Sequence, residues 1–243
     1  MNSTDDRALG LRLGLAAVLS LVLLVPFALL AVLIIGDSPP LHAFDAAITT
    51  SFHDFATEHQ VWVDFMLVWS WVFSPMSLRL LALIMVIWLV RKYRAWRLTW
   101  WVVATMAVGG ILAAVLKLLV GRERPEMLNP VAEAAGYSFP SGHADNAALA
   151  SAVFLLVLLP FLRERTGPRI ALWVAVIVVP IVTGLCRIGL GVHWTSDVVA
   201  GWLLGIATVA AMAVAFENWR RHQGRRDISV TRDGVEPEVA EKA

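Results

Sequence analysis

The chain has 243 residues, 58% of them hydrophobic and only 16% charged, which is too little polar surface to cover a soluble globule. A formal net charge of +1, with no basic stripe interleaved with stacking aromatics, argues against a nucleic-acid partner. The single cysteine, Cys186, rules out an intramolecular disulfide and the paired-cysteine metal frameworks.

The expected class is an all-α polytopic membrane protein with the lipid bilayer as its solvent. The first apolar run, residues 13–35, is too long for a signal-peptide core, so it reads as a retained helix. Next, Leu41, Phe44, Ile48, Phe52 and Phe55 recur at helical spacing, which predicts an interfacial helix between the first two spans. Its His42, His53 and His59 lack the spacing of a ligand pair and read as a solvated face, so no metal is assigned there. Five further spans are drawn at residues 76–90, 96–119, 144–162, 170–186 and 198–216, giving six transmembrane helices. Residues 62–73 are also apolar, and Pro75 is expected to separate them from the second span.

Lys and Arg set the orientation. Arg7 and Arg12, the group Arg91, Lys92 and Arg94, the group Arg163, Arg165 and Arg169, and Arg220, Arg221, Arg225 and Arg226 all fall on one side. Residues 36–75 hold no Lys or Arg, but carry Asp37, Asp45, Asp54, Glu58 and Asp64. The positive-inside rule then predicts a bacterial-type plasma (inner) membrane protein with both termini cytoplasmic. Residues 1–219 form the membrane-embedded domain, and residues 220–243 a charged cytoplasmic tail expected to be disordered. No internal repeat is present, and tryptophans near span ends, such as Trp96, Trp100 and Trp219, suit interfacial anchoring.

Two outward loops break this charge pattern. Lys117, Arg122 and Arg124 cluster after the third span, and Arg187, His193 and Asp197 after the fifth. Cations on that side need a reason, and binding an anion supplies one. Arg124 offers a planar fork of donors suited to phosphate oxygens, with Pro125 expected to end the helix behind it. Pro140-Ser141-Gly142-His143 stands directly before an apolar helical run, where helix-start amides, a small hydroxyl and a glycine make an anion cradle. If His193 and Asp197 share the opening turn of the sixth span, their i, i+4 spacing sets the carboxylate beside the imidazole. That pairing fixes the tautomer and leaves the other ring nitrogen free to attack.

These three ordered groups, from Lys117 to Asp197, resemble the type 2 phosphatidic acid phosphatase superfamily, which also holds undecaprenyl pyrophosphate phosphatases and vanadium haloperoxidases. The six-span layout extends the resemblance to nearly the whole chain. It implies a catalytic trio: His193 as the nucleophile that forms a phosphohistidine, Asp197 as its orienting partner, and His143 as the acid that protonates the leaving oxygen and then activates water. It further implies that Lys117, Arg124, Ser141, Gly142 and Arg187 hold the phosphoryl oxygens, with no metal and no cofactor. The implied substrate is a membrane lipid phosphate or pyrophosphate at the outer face. Undecaprenyl pyrophosphate is preferred, with phosphatidylglycerol phosphate or phosphatidic acid as alternatives. Cys186 stands where the family commonly has serine, and reads as a small buried apolar residue. Arg122 and Asp145, outside the motif positions, are assigned solvated or ion-paired structural roles. A lipid transporter is the reading from another class. It is disfavoured because the polar residues gather at one face instead of crossing the midplane.

Overall fold

The computed structural model describes residues 22–225, 228 and 230–242, among which no strand occurs. The part of the first expected span at 13–21 lies outside the described residues. Its remainder, α1 (Val22–Ile35), meets α2 (Pro39–Thr57) at a 100° bend. The turn between them contains Asp37 at a left-handed φ of 48°, and α2 starts with proline in its first turn, where the missing N–H costs nothing.

Helix α2 turns Asp45, Thr49 and His53 inward. Asp45, Thr49, His53 and Ala56 are buried, whereas Phe44, Phe52 and Phe55 are exposed. An apolar face directed outward suits a helix lying against lipid, with its polar side closing over the protein. His53 departs from the solvated reading. Its ring nitrogens lie 3.2 Å from the Gly189 carbonyl oxygen and 2.9 Å from that of Asn129.

Helices α3 (Gln60–Val72) and α4 (Pro75–Trp88) form, with the π-turn Leu89–Tyr93, a single apolar stretch, Gln60–Tyr93. Pro75 therefore restarts the helix, capped by the Ser74 hydroxyl, without dividing the span. Then follow α5 (Trp96–Val120), α6 (Gly142–Leu158), α7 (Thr166–Gly189) and α8 (Thr195–His222). Among the described residues, five stretches are long and apolar enough to cross a membrane, and the bent pair α1 and α2 makes six if counted as one. Large apolar side chains face outward at helical spacing, for example Ile170, Val174, Ile177 and Ile181 on α7, as lipid-facing helices require.

The core is α6, which packs against α4, α5, α7 and α8. Small residues allow this. Gly201 and Gly205 of α8 ride directly on the α6 backbone: a Cβ at Gly201 would stand 2.7 Å from the Ser141 carbonyl oxygen, and one at Gly205 2.6 Å from that of Asp145. Close helix contact through glycines four apart is a common membrane packing mode. It fixes the start of α6 beside the start of α8.

The tail departs from the expected disorder. Val235 and Val239 are buried in the same cluster as Leu98, Leu156 and Leu159. Arg220 donates two hydrogen bonds to Glu238, at 2.8 and 2.7 Å. Opposite charges pair with one another here, so they do not hold the segment in solvent, and two valines cap the end of the bundle.

Candidate active site

Four helix ends converge opposite the tail: the C-termini of α5 and α7 and the N-termini of α6 and α8. Helix α5 ends at Gly121, whose left-handed φ of 63° and N–H to the Lys117 carbonyl form the cap. Glycine takes that conformation without strain, so the terminator lies four residues before Pro125. The loop from Arg122 then closes on itself, as Ser138 donates from its backbone to the Arg122 carbonyl at 2.8 Å.

Arg124 reaches across this loop. It donates to the carbonyls of Gly136 at 2.9 Å, Val192 at 2.6 Å, Ala135 at 3.1 Å and Tyr137 at 3.2 Å. Its Nη1 also lies 3.1 Å from His193 Nε2. Lys117 Nζ donates to the Tyr137 carbonyl at 2.8 Å, so both cations converge on one loop oxygen. Gly142 lies beside them: a Cβ there would stand 3.9 Å from Lys117 Cε.

At the start of α6, Ser141 is the N-cap in extended conformation. Its N–H donates to the Asp197 carbonyl at 2.9 Å, tying the second motif to the third. His143, one residue into the helix, faces the backbone of Ser70 and stands within electrostatic range of Arg187, His193 and Arg124.

The third motif differs from its expected placement in one respect. Helix α8 begins at Thr195 with Trp194 as N-cap, so His193 lies before the helix and Asp197 sits at its third position. Asp197 Oδ2 accepts the Trp194 N–H at 2.9 Å, the reciprocal half of a capping arrangement. His193 Nδ1 lies 3.6 Å from the same oxygen, somewhat beyond hydrogen-bond length. Arginine has no acceptor, so the Arg124 contact requires a lone pair on His193 Nε2 and places the proton on Nδ1, facing Asp197. Burial holds the His193 imidazole below the usual histidine range, against the pull of Asp197 and with Arg124 and Arg187 adding to the depression. The ring is therefore buried and neutral, with the Nε2 lone pair turned to Arg124.

Three motif atoms are buried without hydrogen-bond partners: Ser141 Oγ, Arg187 Nε and His193 Nδ1. Such atoms are costly and concentrate at functional sites. Their donors and the adjacent cations match the chemistry of a phosphoryl group. Among the described residues, no three His, Cys, Asp or Glu side chains are grouped to hold a metal ion.

Behind Asp197 lies a pair of charges whose partners the sequence does not reveal. Asp45 of α2 accepts from the Ser196 N–H at 2.8 Å and from the Ser196 hydroxyl, and Arg122 Nη2 donates to it at 2.7 Å. Arg122 Nη1 donates to Asp197 Oδ1 at 2.7 Å. Arg122 is ion-paired, as expected, but its partner is the carboxylate that faces His193. Asp45 was legible only as an outward acid, since 151 positions separate it from Ser196.

The PAP2 superfamily model matches residues 98–221, just over half the chain and all three motifs. The chain belongs to the PAP2 superfamily. Similar proteins include phosphatidylglycerophosphatase B of Bacillus subtilis (strain 168), 35% identical over 117 residues, covering 46% of this chain and 56% of that one. The undecaprenyl-diphosphatase of Sulfolobus acidocaldarius is 30% identical over 121 residues, covering 48% of this chain and 53% of that one. The chain thus spans about half the length of these relatives. In fold it is similar to the crystal structure of a transmembrane PAP2 type phosphatidylglycerolphosphate phosphatase from Bacillus subtilis, with a TM-score of 0.72 and 23% identity, covering 86% of this chain and 98% of that one.

Proposed function

We propose that this PAP2 protein is a membrane phosphatase that hydrolyses a lipid phosphate or pyrophosphate through a phosphohistidine at His193. The observation that carries the reading is a buried, neutral His193 whose Nε2 faces Arg124 at 3.1 Å and whose Nδ1 faces Asp197 at 3.6 Å, at the end of an apolar bundle. Nε2 attacks phosphorus, and the N–P bond forms as the bond to the leaving oxygen breaks. His143 gives that oxygen its proton. Water, deprotonated by His143, then attacks the phosphohistidine. A P–O bond forms, the N–P bond breaks, and inorganic phosphate leaves with His193 restored.

Lys117, Arg124 and Arg187 supply the positive charge that the equatorial oxygens require, and Ser141 and the amides at Gly142 complete the cradle. For Lys117 and Arg124 this means exchanging loop carbonyls for phosphoryl oxygens. A cavity of about 480 Å³ is lined by Leu33, Ile34 and Leu41 together with Arg122, Arg124, Asp37, Glu123 and Glu126. Apolar side chains beside Arg124 suit a phosphate carried on a hydrocarbon. The basic helix ends and tail at the opposite end support cytoplasmic termini and an outward-facing site.

Undecaprenyl pyrophosphate is the preferred substrate, because an outward site fits recycling of a carrier lipid. Similarity to phosphatidylglycerophosphatase B favours phosphatidylglycerol phosphate as the second reading. Phosphate release from a panel of lipid phosphates and pyrophosphates, measured in detergent with a chelator present, tests the assignment. Turnover of at least one lipid is expected; no release from any, or release only after metal is restored, would overturn it.

A further inference from the structure

On the phosphatase reading above, we propose that Asp45 and Arg122 are positioning residues for the reaction, which makes the interfacial helix α2 part of the catalytic apparatus. Asp197 is held at three points: Arg122 Nη1 at Oδ1, 2.7 Å away; the Trp194 N–H at Oδ2, 2.9 Å away; and the helix it caps. Arg122 is in turn clamped. Its Nη2 donates to Asp45 at 2.7 Å, its Nη1 also reaches the Ser196 hydroxyl at 2.7 Å, and its guanidinium lies over the Trp194 ring, 5.5 Å from the centroid. Asp45 and Asp197 are fully buried, and Asp45 is joined to both Arg122 and Ser196, so the cluster links α2, the loop after α5 and the first turn of α8.

Charge gives this cluster a role beyond scaffolding. When Nε2 takes the phosphoryl group, the His193 ring retains its Nδ1 proton and becomes cationic, and Asp197 must answer that charge. Arg122 alone would neutralise Asp197 and leave the ring facing no net charge. One cation between two carboxylates instead leaves a single negative charge, so Asp45 restores what Arg122 removes. Arg122 supplies aim, and Asp45 keeps the aimed carboxylate anionic in effect. The other charged or titratable groups around His193 are Arg124, Arg187 and His143, and none of these supplies negative charge.

The test uses the full-length protein in detergent, with wild-type turnover on its best lipid as reference. Asp45→Asn is expected to lower kcat by about tenfold or more, the scale at which partners behind an active-site ligand act, with KM little changed. Removing a negative charge should also move the acidic limb of kcat/KM to lower pH, and Arg122→Gln should move it to higher pH. These opposite shifts are not what a loss of folding produces. Asp45→Glu keeps the charge and should hold the limb at its wild-type position. A folded Asp45→Asn protein with unchanged kcat and limb would overturn the proposal, as would a shift in Asp45→Glu equal to that in Asp45→Asn. If the wild-type protein releases no phosphate from any lipid, the phosphatase reading itself fails and the proposal goes with it.

Discussion

At the scale of single residues, the site depends on keeping one imidazole neutral among three cations. Burial, Arg124 and Arg187 depress the His193 proton affinity and Asp197 opposes them, leaving it below the usual histidine value. The protonated ring cannot attack, so kcat/KM should fall on the acid side with a limb below the ordinary histidine value of about 6.5, while a fall on the alkaline side follows loss of the proton that His143 gives to the leaving oxygen. An acid limb that lies above that value would contradict the assignment. Linkage has the same sign. The unfolded chain binds a proton near pH 6.5 that the folded site refuses, so this group reduces stability as pH falls below that range.

The motif residues were legible because their chemistry is local: Lys117 with Arg124, Ser141 with His143, and Arg187, His193 and Asp197 each fall within a few turns of one another. Asp45 and Arg122 were not, because the partners of a buried carboxylate 151 positions away leave no trace in spacing. His53 failed for a related reason. A histidine on an amphipathic helix reads as solvated unless the loops that cover it, here at Gly189 and Asn129, are known.

At the scale of elements, helix ends carry the three motifs and glycines hold them together. The N-terminus of α6 meets the N-terminus of α8 because Gly201 and Gly205 admit the α6 backbone, and the bond from Ser141 N–H to the Asp197 carbonyl closes the contact. A methyl group at Gly201 would press on backbone atoms that cannot rotate away. Gly201→Ala should therefore cost about 1–3 kcal/mol of stability and lower turnover by separating Ser141 from Asp197. Thermal denaturation in detergent together with an activity assay checks this; unchanged melting and turnover would show that the contact is slack. The spans were readable from hydropathy, but their ends less so. A proline at position 125 suggests a terminator, while the α5 helix had already ended at Gly121, whose backbone freedom hydropathy does not register.

At the scale of the whole molecule, one end of the bundle holds the three motifs and the other is closed by charge pairing. Arg220 is fully buried, and its guanidinium is matched by Glu238, so Glu238→Gln removes a charged hydrogen-bond partner worth about 1.5–3 kcal/mol. Loss of thermal stability with normal kcat is expected, since the tail is remote from the site; unaltered melting would show that the tail contributes no stability. Composition alone misled here, because a charged segment reads as solvated until its partners are placed.

The central claim is the covalent intermediate on His193, and trapping tests it most directly. The His143→Ala protein, which lacks the group that activates water, is mixed with lipid carrying a labelled phosphate and quenched under alkaline conditions. Label is expected on the protein, stable to alkali, lost in acid, mapped to His193, and absent when His193→Ala is added. No label on either the His143→Ala protein or wild-type protein quenched during turnover, or label that persists in the His193→Ala protein, would contradict it.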